Sequence, residues 1–406
     1  MPRTLLTGAD LVLADRVASG HTLVIDDDRI TEVLSGPQPV RPEDDRIDLS
    51  GHLIVPGFID LHVHGVNGCD VLDGPGSVAA IAADLPRWGV TAFCPTTVAC
   101  TPDALRGVLD EIRRLRATPP PGAARVLPAH LESNFLNPDY RGAQPLSCLR
   151  PPRAAHAGAA IDRGPGAGRA RFDAEDILAE IDRRRPDVAT VTVAPELDGG
   201  LDLIRRLTGA GIRVSLGHSG ATFDQAQAAI AAGACQATHL FNRMSPMTHR
   251  DPGLVGAMLA SDDIAAEIIC DGEHVHPSVF GVAIAAKGVD RVIAITDGTA
   301  GSGLPAGTRA MLGGQPITVG DVARLDDGTM AGSVLTMNRA FACLVSRVGI
   351  GLVDAVRLTS TTPASELRLR GHGVIAAGAV ADLVVLDATL DVVQTWIGGR
   401  AVYTRA

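Results

Sequence analysis

The sequence predicts a (β/α)8 barrel with a small β-sandwich assembled from both ends of the chain. Three observations predict it. Apolar, β-branched runs recur eight times through the middle of the chain, with helix-like segments between most of them. Polar residues able to hold a metal ion directly follow five of those runs. Both chain ends, residues 1–50 and 374–406, read as β-rich.

The composition suits such a fold. At 406 residues, 46% of them hydrophobic, the chain can bury a large core, and with only 3% aromatic residues that core is built from Ala, Val, Leu, Ile and Gly. The net charge is −10 and no basic stretch interleaves with aromatics, which argues against nucleic acid as a partner. The seven cysteines are odd in number, scattered and never spaced C-x-x-C, as expected of reduced thiols in a cytoplasmic protein. No signal peptide is read at the N-terminus, and no apolar run reaches membrane-spanning length.

Taken in order, strands are expected at Thr4–Leu6, Asp10–Leu13, His21–Ile25 and Arg29–Val33, with Asp26, Asp27 and Asp28 turning between the last two. The barrel runs fall at 53–59, 90–94, 125–131, 188–194, 212–217, 235–238, 264–270 and 291–296. Helices are expected at 77–88, 102–116, 173–184, 199–210, 222–232 and 277–287. A doubly wound open sheet is the competing fold, but no Gly-rich phosphate loop follows the first strand. Strands return at 381–387, Val392–Ile397 and Arg400–Tyr403, so the termini are expected to meet. The domains read as 1–52 and 366–406 for the sandwich and 53–365 for the barrel. Two stretches break the rhythm. Residues 133–171 form a long Gly/Pro-rich connection, either a mobile lid or a solvated insertion. Residues 308–335 read as a hairpin insertion, followed by helices from about Thr336 to Val348 and near Val353–Ser360.

The residues that follow the strands carry the chemistry. The first run leads into Asp60-Leu61-His62-Val63-His64, where the two histidines, one residue apart, share a side of an extended chain. The third run delivers Glu132, the fifth His218, the sixth His239 and the eighth Asp297. In a barrel these ends face one mouth, where active sites sit. Imidazole with carboxylate and no cysteine suits a catalytic divalent ion: Zn²⁺ first, with Fe²⁺, Mn²⁺ or Co²⁺ as alternatives. Glu132, His218 and His239 can fill one site, and His62 with His64 a second. A bound ion would bring the pKa of a water towards neutrality. Asp297 is then placed to take that proton and return it to a leaving amine. The reaction class is metal-assisted hydrolysis of an amide or related bond.

These residues resemble a known family. Pro56-Gly57-Phe58-Ile59-Asp60-Leu61-His62-Val63-His64-Gly65 is similar to the first-strand signature of the amidohydrolase superfamily. Within it, the chain resembles the N-acetylglucosamine-6-phosphate deacetylase family. The likeness runs in order through His130-Leu131-Glu132, Gly217-His218-Ser219-Gly220, Thr238-His239-Leu240-Phe241-Asn242, His249-Arg250-Asp251-Pro252-Gly253, Asp271-Gly272-Glu273-His274 and Thr296-Asp297. It continues through Ala331-Gly332-Ser333 to Ala381-Asp382-Leu383-Val384. The resemblance implies that Glu132, His218 and His239 hold the principal metal and that His62 and His64 hold a second ion in some members, giving one or two ions per subunit. It implies that Asp297 is the acid/base and that Asn242 and His274 bind substrate. Arg250 is implied to reach the sugar phosphate from a neighbouring subunit, in a homodimer with shared sites.

Five departures from the family pattern lie near the substrate. Ser133-Asn134 replaces Gly-Pro after the metal Glu, Gln144 replaces a substrate-facing His, and Arg243 replaces Ala. Gly298-Thr299-Ala300 replaces an Ala-rich run, and Glu273 sets a carboxylate beside His274. Arg243 either offsets Glu273 or reads an anionic group. The expected activity is deacetylation of an N-acetyl amino sugar phosphate, first N-acetylglucosamine 6-phosphate. The alternatives are another small N-acyl amine or cyclic amide, and a non-catalytic binding protein, which would not be expected to keep all six site groups.

Overall fold

The computed structural model describes residues 3–36, 42, 44–153 and 172–405. Eight parallel strands run through its centre: β1 Phe58–Val63, β2 Val90–Thr97, β3 Ala129–Leu131, β4 Val188–Val193, β5 Arg213–Leu216, β6 Gln236–Ala237, β7 Ala265–Ile269 and β8 Val292–Ile295. Each pairs with its neighbour in sequence. The expected third strand is split in two, and its first part, Arg125–Val126, also lies on β2. The ring closes where Asp297 N donates to His62 O at 3.0 Å and His64 N donates to Gly298 O at 2.8 Å. Strand order that follows sequence order and returns to its start is a barrel, not a doubly wound sheet.

The helices alternate with the strands: α1 Ser77–Asp84, α2 Pro102–Ala117, α3 Ala174–Arg183, α4 Gly200–Gly209, α5 Phe223–Ala231, α6 Gly253–Ala260 and α7 Pro277–Lys287. Their starts are chemically marked. Thr101 caps α2 ahead of Pro102, and Asp173 with Asp176 and Thr222 with Gln225 form capping boxes on α3 and α5. On α2, Leu105, Val108, Leu109, Ile112 and Leu115 fall at helical spacing and are buried. α6 is not among the helices expected from the sequence. Its residues, GLVGAMLA, are apolar all round, so no amphipathic period announces them, and six of the eight are buried.

The chain ends form two sheets packed on a shared core. One has four strands, in the order Arg29–Ser35, His21–Asp26, Thr4–Thr7 and Asp45–Asp48. The other has six: Arg400–Thr404, Val392–Ile397, Leu383–Leu386, Leu53–Pro56, Asp10–Val12 and Val17–Ala18. Leu6, Leu23 and Ile25 meet Leu11, Ile54, Val385 and Trp396 between them. The run at 53–59 therefore serves two bodies, with Leu53–Pro56 pairing against Leu383–Leu386 before β1 begins. At the crossing, Gly57 is required, because a Cβ there would overlap Thr91. Arg125, at the foot of the barrel, holds Asp382 by two hydrogen bonds of 2.9 and 3.0 Å, and Gly398 N adds a third at 2.7 Å.

The insertion near 308–335 is a three-stranded antiparallel sheet, Arg309–Leu312, Gln315–Val319 and Ala323–Leu325, one strand more than a hairpin. A helix follows at Met337–Cys343, wound wider through Val348, and further helical turns run from Leu352 to Glu366. In the connection after β3, residues 133–153 are folded inward, with Phe135 and Leu136 buried. The segment from His156 to Gly168 lies outside the described residues. None of the seven cysteines is paired in a disulfide, and among the described residues no helix is long and apolar enough to cross a membrane.

Candidate metal centre and active site

The strand ends converge. His218 Nε2 and His239 Nε2 lie 2.8 and 2.7 Å from Glu132 Oε1, and 3.1 Å from each other. His62 Nε2 and His64 Nε2 lie 3.2 Å apart. Asp297 Oδ1 is 3.3 Å from the first and 3.2 Å from the second. Glu132 joins the two halves, its Oε2 lying 3.4 Å from His64 Nε2. All six side chains are buried.

Local backbone geometry makes this possible. His218, His239 and Asp297 each follow a strand and each adopt a left-handed φ, of 47°, 31° and 50°. That conformation is unfavourable for residues with a Cβ, and strain of this kind concentrates at functional sites. Behind β5, Glu196 accepts Ser219 Oγ and Gly220 N at 2.7 Å each, fixing the turn that presents His218. Tyr140 packs so closely on Gly220 that a Cβ there would overlap its ring.

The donor set fits a divalent cation. His64 Nδ1 faces the Thr96 carbonyl at 3.1 Å and His218 Nδ1 faces the Tyr140 carbonyl at 2.9 Å. A carbonyl only accepts, so each Nδ1 carries the proton and each Nε2 keeps its lone pair for the centre. His62 Nδ1 is likewise held by Glu267 Oε2 at 3.1 Å. His239 Nδ1 is buried without a hydrogen-bond partner among the described residues. The electrostatics call for positive charge. Burial opposes a charge on the His64 ring, yet Asp297 and Glu132 outweigh it and push its pKa up to about 10. Burial likewise opposes a charge on His239, but Glu132 pushes its pKa up to about 9. At His62 burial prevails and lowers the pKa to about 4. Burial alone would raise the Asp297 carboxyl, but the rings of His62 and His64 hold it below the ordinary carboxylate range. Protons thus stand where a cation would bind.

Above the centre lies a cavity of about 460 Å³. Its wall includes His64, Glu132, His218, His239 and Asp297, together with Gln144, Asn242, Arg243 and His274. Asn242 donates from Nδ2 to the His239 carbonyl at 3.3 Å. His274 Nδ1 is bound to Asp271 Oδ2 at 2.6 Å, which leaves Nε2 for another partner. Among the described residues, no hydrogen bond or ion pair engages the Arg243 guanidinium, which lies over Gly142. Arg250 is exposed and does not line this chain's cavity. Glu273 is exposed as well. Ser133 and Asn134 are structural. Ser133 Oγ donates to Thr192 O at 2.5 Å, and Asn134 Nδ2 donates to the carbonyls of Cys100 and Cys148 at 2.7 Å each. Gly298 closes the barrel, and Thr299 Oγ1 donates to Ser333 O at 3.0 Å.

Sequence reasoning missed the layer beneath the centre. Glu267 accepts from His62 and from Gln236 Nε2, the latter at 2.5 Å, and burial pushes its pKa up to about 7. His130 reaches Thr192 Oγ1 at 2.9 Å through Nε2. Asp60, fully buried, accepts Thr296 Oγ1 at 2.6 Å. Signals for two of these existed. Glu267 is the one charge in the apolar run of β7, and His130 stands two residues before Glu132.

Comparison with known proteins agrees with this geometry. Residues 53–402 match the model of the Amidohydrolase family. The N-acetylglucosamine-6-phosphate deacetylase of Bacillus subtilis (strain 168) is 33% identical over 399 residues, covering 97% of this chain and 95% of that one. The N-acetylgalactosamine-6-phosphate deacetylase of Escherichia coli O157:H7 is 33% identical over 386 residues, 94% of each chain. Among solved structures, a mutant N-acetyl-D-glucosamine-6-phosphate deacetylase from Mycobacterium smegmatis in complex with N-acetyl-D-glucosamine-6-phosphate superposes with a TM-score of 0.86, at 32% identity over 100% of both chains. A family match over residues 53–402, a shared fold and a third of the sequence in common along its whole length place the chain in the amidohydrolase family, within the N-acetylglucosamine-6-phosphate deacetylase branch.

Proposed function

We propose that this protein hydrolyses the acetamide of N-acetylglucosamine 6-phosphate, giving glucosamine 6-phosphate and acetate. The observation that carries the reading is the meeting of Glu132, His218 and His239 with Asp297 at the floor of one cavity. A divalent ion at those three ligands, Zn²⁺ first with Fe²⁺, Mn²⁺ or Co²⁺ as alternatives, would polarise the acetyl carbonyl and acidify a water. His62 and His64 can hold a second ion.

The protein's own groups do the rest. Asp297, kept ionised by its two histidines, accepts the water proton at its carboxylate and delivers it to the amine nitrogen as the C–N bond breaks. Oxygen joins the acetyl carbon, acetate leaves, and the sugar keeps both electrons of the broken bond at its nitrogen. His62 and His64 hold Asp297 in place. Asn242 and the free Nε2 of His274 orient the polar end of the sugar, and Arg243 and Gln144 complete the substrate wall. A guanidinium from Arg250 of a second subunit would meet the phosphate with its two-pronged fork, which makes a homodimer part of this reading. So are a catalytic unit at 53–365 framed by 1–52 and 366–406, and a cytoplasmic location, supported by seven cysteines outside any disulfide.

The similarity to an N-acetylgalactosamine-6-phosphate deacetylase favours a second reading, the epimeric N-acetylgalactosamine 6-phosphate. One assay separates them: acetate release from a panel of N-acetyl hexosamines, with and without a 6-phosphate, under several divalent ions. Fastest turnover on the gluco-configured phosphate is expected. Turnover confined to unphosphorylated amides would overturn the proposal.

A further inference from the structure

Gln144 lies in the cavity wall, and its amide is committed to groups of the chain itself. Its Oε1 accepts Ala99 N at 2.7 Å. A backbone N–H only donates, so this bond settles which end of the amide is oxygen. The nitrogen is thereby turned onto Glu132 Oε2, to which it donates. The side chain is only 5% exposed, and Gln144 N donates to Arg141 O at 3.0 Å. The neighbouring Ala143 carbonyl is tied to Gln315 Nε2 at 2.7 Å, on the inserted sheet. The amide is thus held from both sides.

The two oxygens of Glu132 consequently have separate partners. Oε1 is bonded to His218 and His239, with His62 Nε2 farther off at 4.0 Å. Oε2 receives the Gln144 N–H and is the oxygen nearer His64. We infer that Gln144 is a positioning residue that makes Glu132 a one-oxygen ligand of the His218/His239 half-site and weakens its other oxygen as a donor to the His62/His64 half-site. A hydrogen bond withdraws electron density from the lone pairs of the oxygen that accepts it, and outer hydrogen bonds orient metal ligands. The first ion is therefore tight and the second weak, by construction of one amide.

The inference rests on the metal-site reading, and its test keeps the two apart. Metal-stripped protein is titrated with Co²⁺, read by visible absorption and by calorimetry. Wild-type protein that binds no Co²⁺ would remove the metal-site reading itself. With binding present, Gln144→Met keeps the volume and deletes the donor. It should weaken the first ion about 10–100-fold and narrow the gap between first and second constants by at least about tenfold. Gln144→His keeps an N–H donor and should restore the wild-type gap. Gln144→Leu carries the same readout if the Met variant does not fold. Stepwise constants unchanged in a folded donor-less variant, or altered equally in Gln144→His, would overturn the inference.

Discussion

Asp297 Oδ1 lies 3.2 Å from His64 Nε2, so the proposed base sits against the second metal half-site rather than the first. Its proton chemistry and the occupancy of that half-site are therefore separable from the Glu132, His218 and His239 set. Asp297→Asn should lower kcat by roughly 10³–10⁴-fold and leave one tightly held ion per chain by elemental analysis. Turnover near wild type would discard the acid/base role.

Loss of an inner ligand should behave differently. His218→Ala and His239→Ala each remove one of the three ligands in the Glu132, His218 and His239 set. Metal content after dialysis should fall, with affinity down by more than the roughly 100-fold upper range for outer-shell changes. Full metal retention in either variant would mean that the donor set has been misassigned.

The proposed reading divides phosphate recognition between Arg250 and Arg243. Arg250→Ala should raise KM about tenfold or more for phosphorylated substrates, about 1.4 kcal/mol, and leave unphosphorylated ones unchanged. Mixing Arg250→Ala with Asp297→Asn should recover activity if the arginine acts across subunits, because some sites then draw one intact residue from each chain. Arg243→Ala should show the same selective loss without any such recovery. Equal effects on both substrate classes would remove either arginine from a phosphate role.

The clamp between the terminal sheets and the barrel sets an acid limit on stability. Burial raises the Asp382 carboxyl, but hydrogen bonds from His372 and Arg125 outweigh it and hold the pKa below its ordinary value. A depressed carboxylate stabilises the fold above its unfolded pKa, and that contribution disappears as pH falls through the folded pKa. Asp382→Ala should cost about 2–3 kcal/mol at pH 7, since it strands a partly buried guanidinium. The difference in Tm from wild type should persist down to pH ~5 and shrink below pH ~4. A difference that stays constant through that window would refute an electrostatic origin.

Much of the site was legible because barrel chemistry is written at strand ends. An apolar run followed by a histidine or carboxylate is visible in one dimension, and Glu132, His218, His239 and Asp297 were found that way. His62 and His64 gained their meaning from the other strand ends, since two histidines one residue apart carry little by themselves. The alternation of runs also fixed the barrel, since each run and each amphipathic helix reports its own burial. Where burial was complete on every side, as in α6, the period vanished and the helix went unread.

The sequence by itself determined which residue types reach the barrel mouth, because strand period and chain order decide that locally. The tertiary structure decided what each one touches. The left-handed turns at His218, His239 and Asp297, the bond from Glu267 to His62, and the amide of Gln144 spanning Ala99 and Glu132 all join residues distant in the chain. Such bonds depend on ångström-scale distances that no local pattern encodes. They decide which nitrogen of a ring, and which oxygen of a carboxylate, faces the centre.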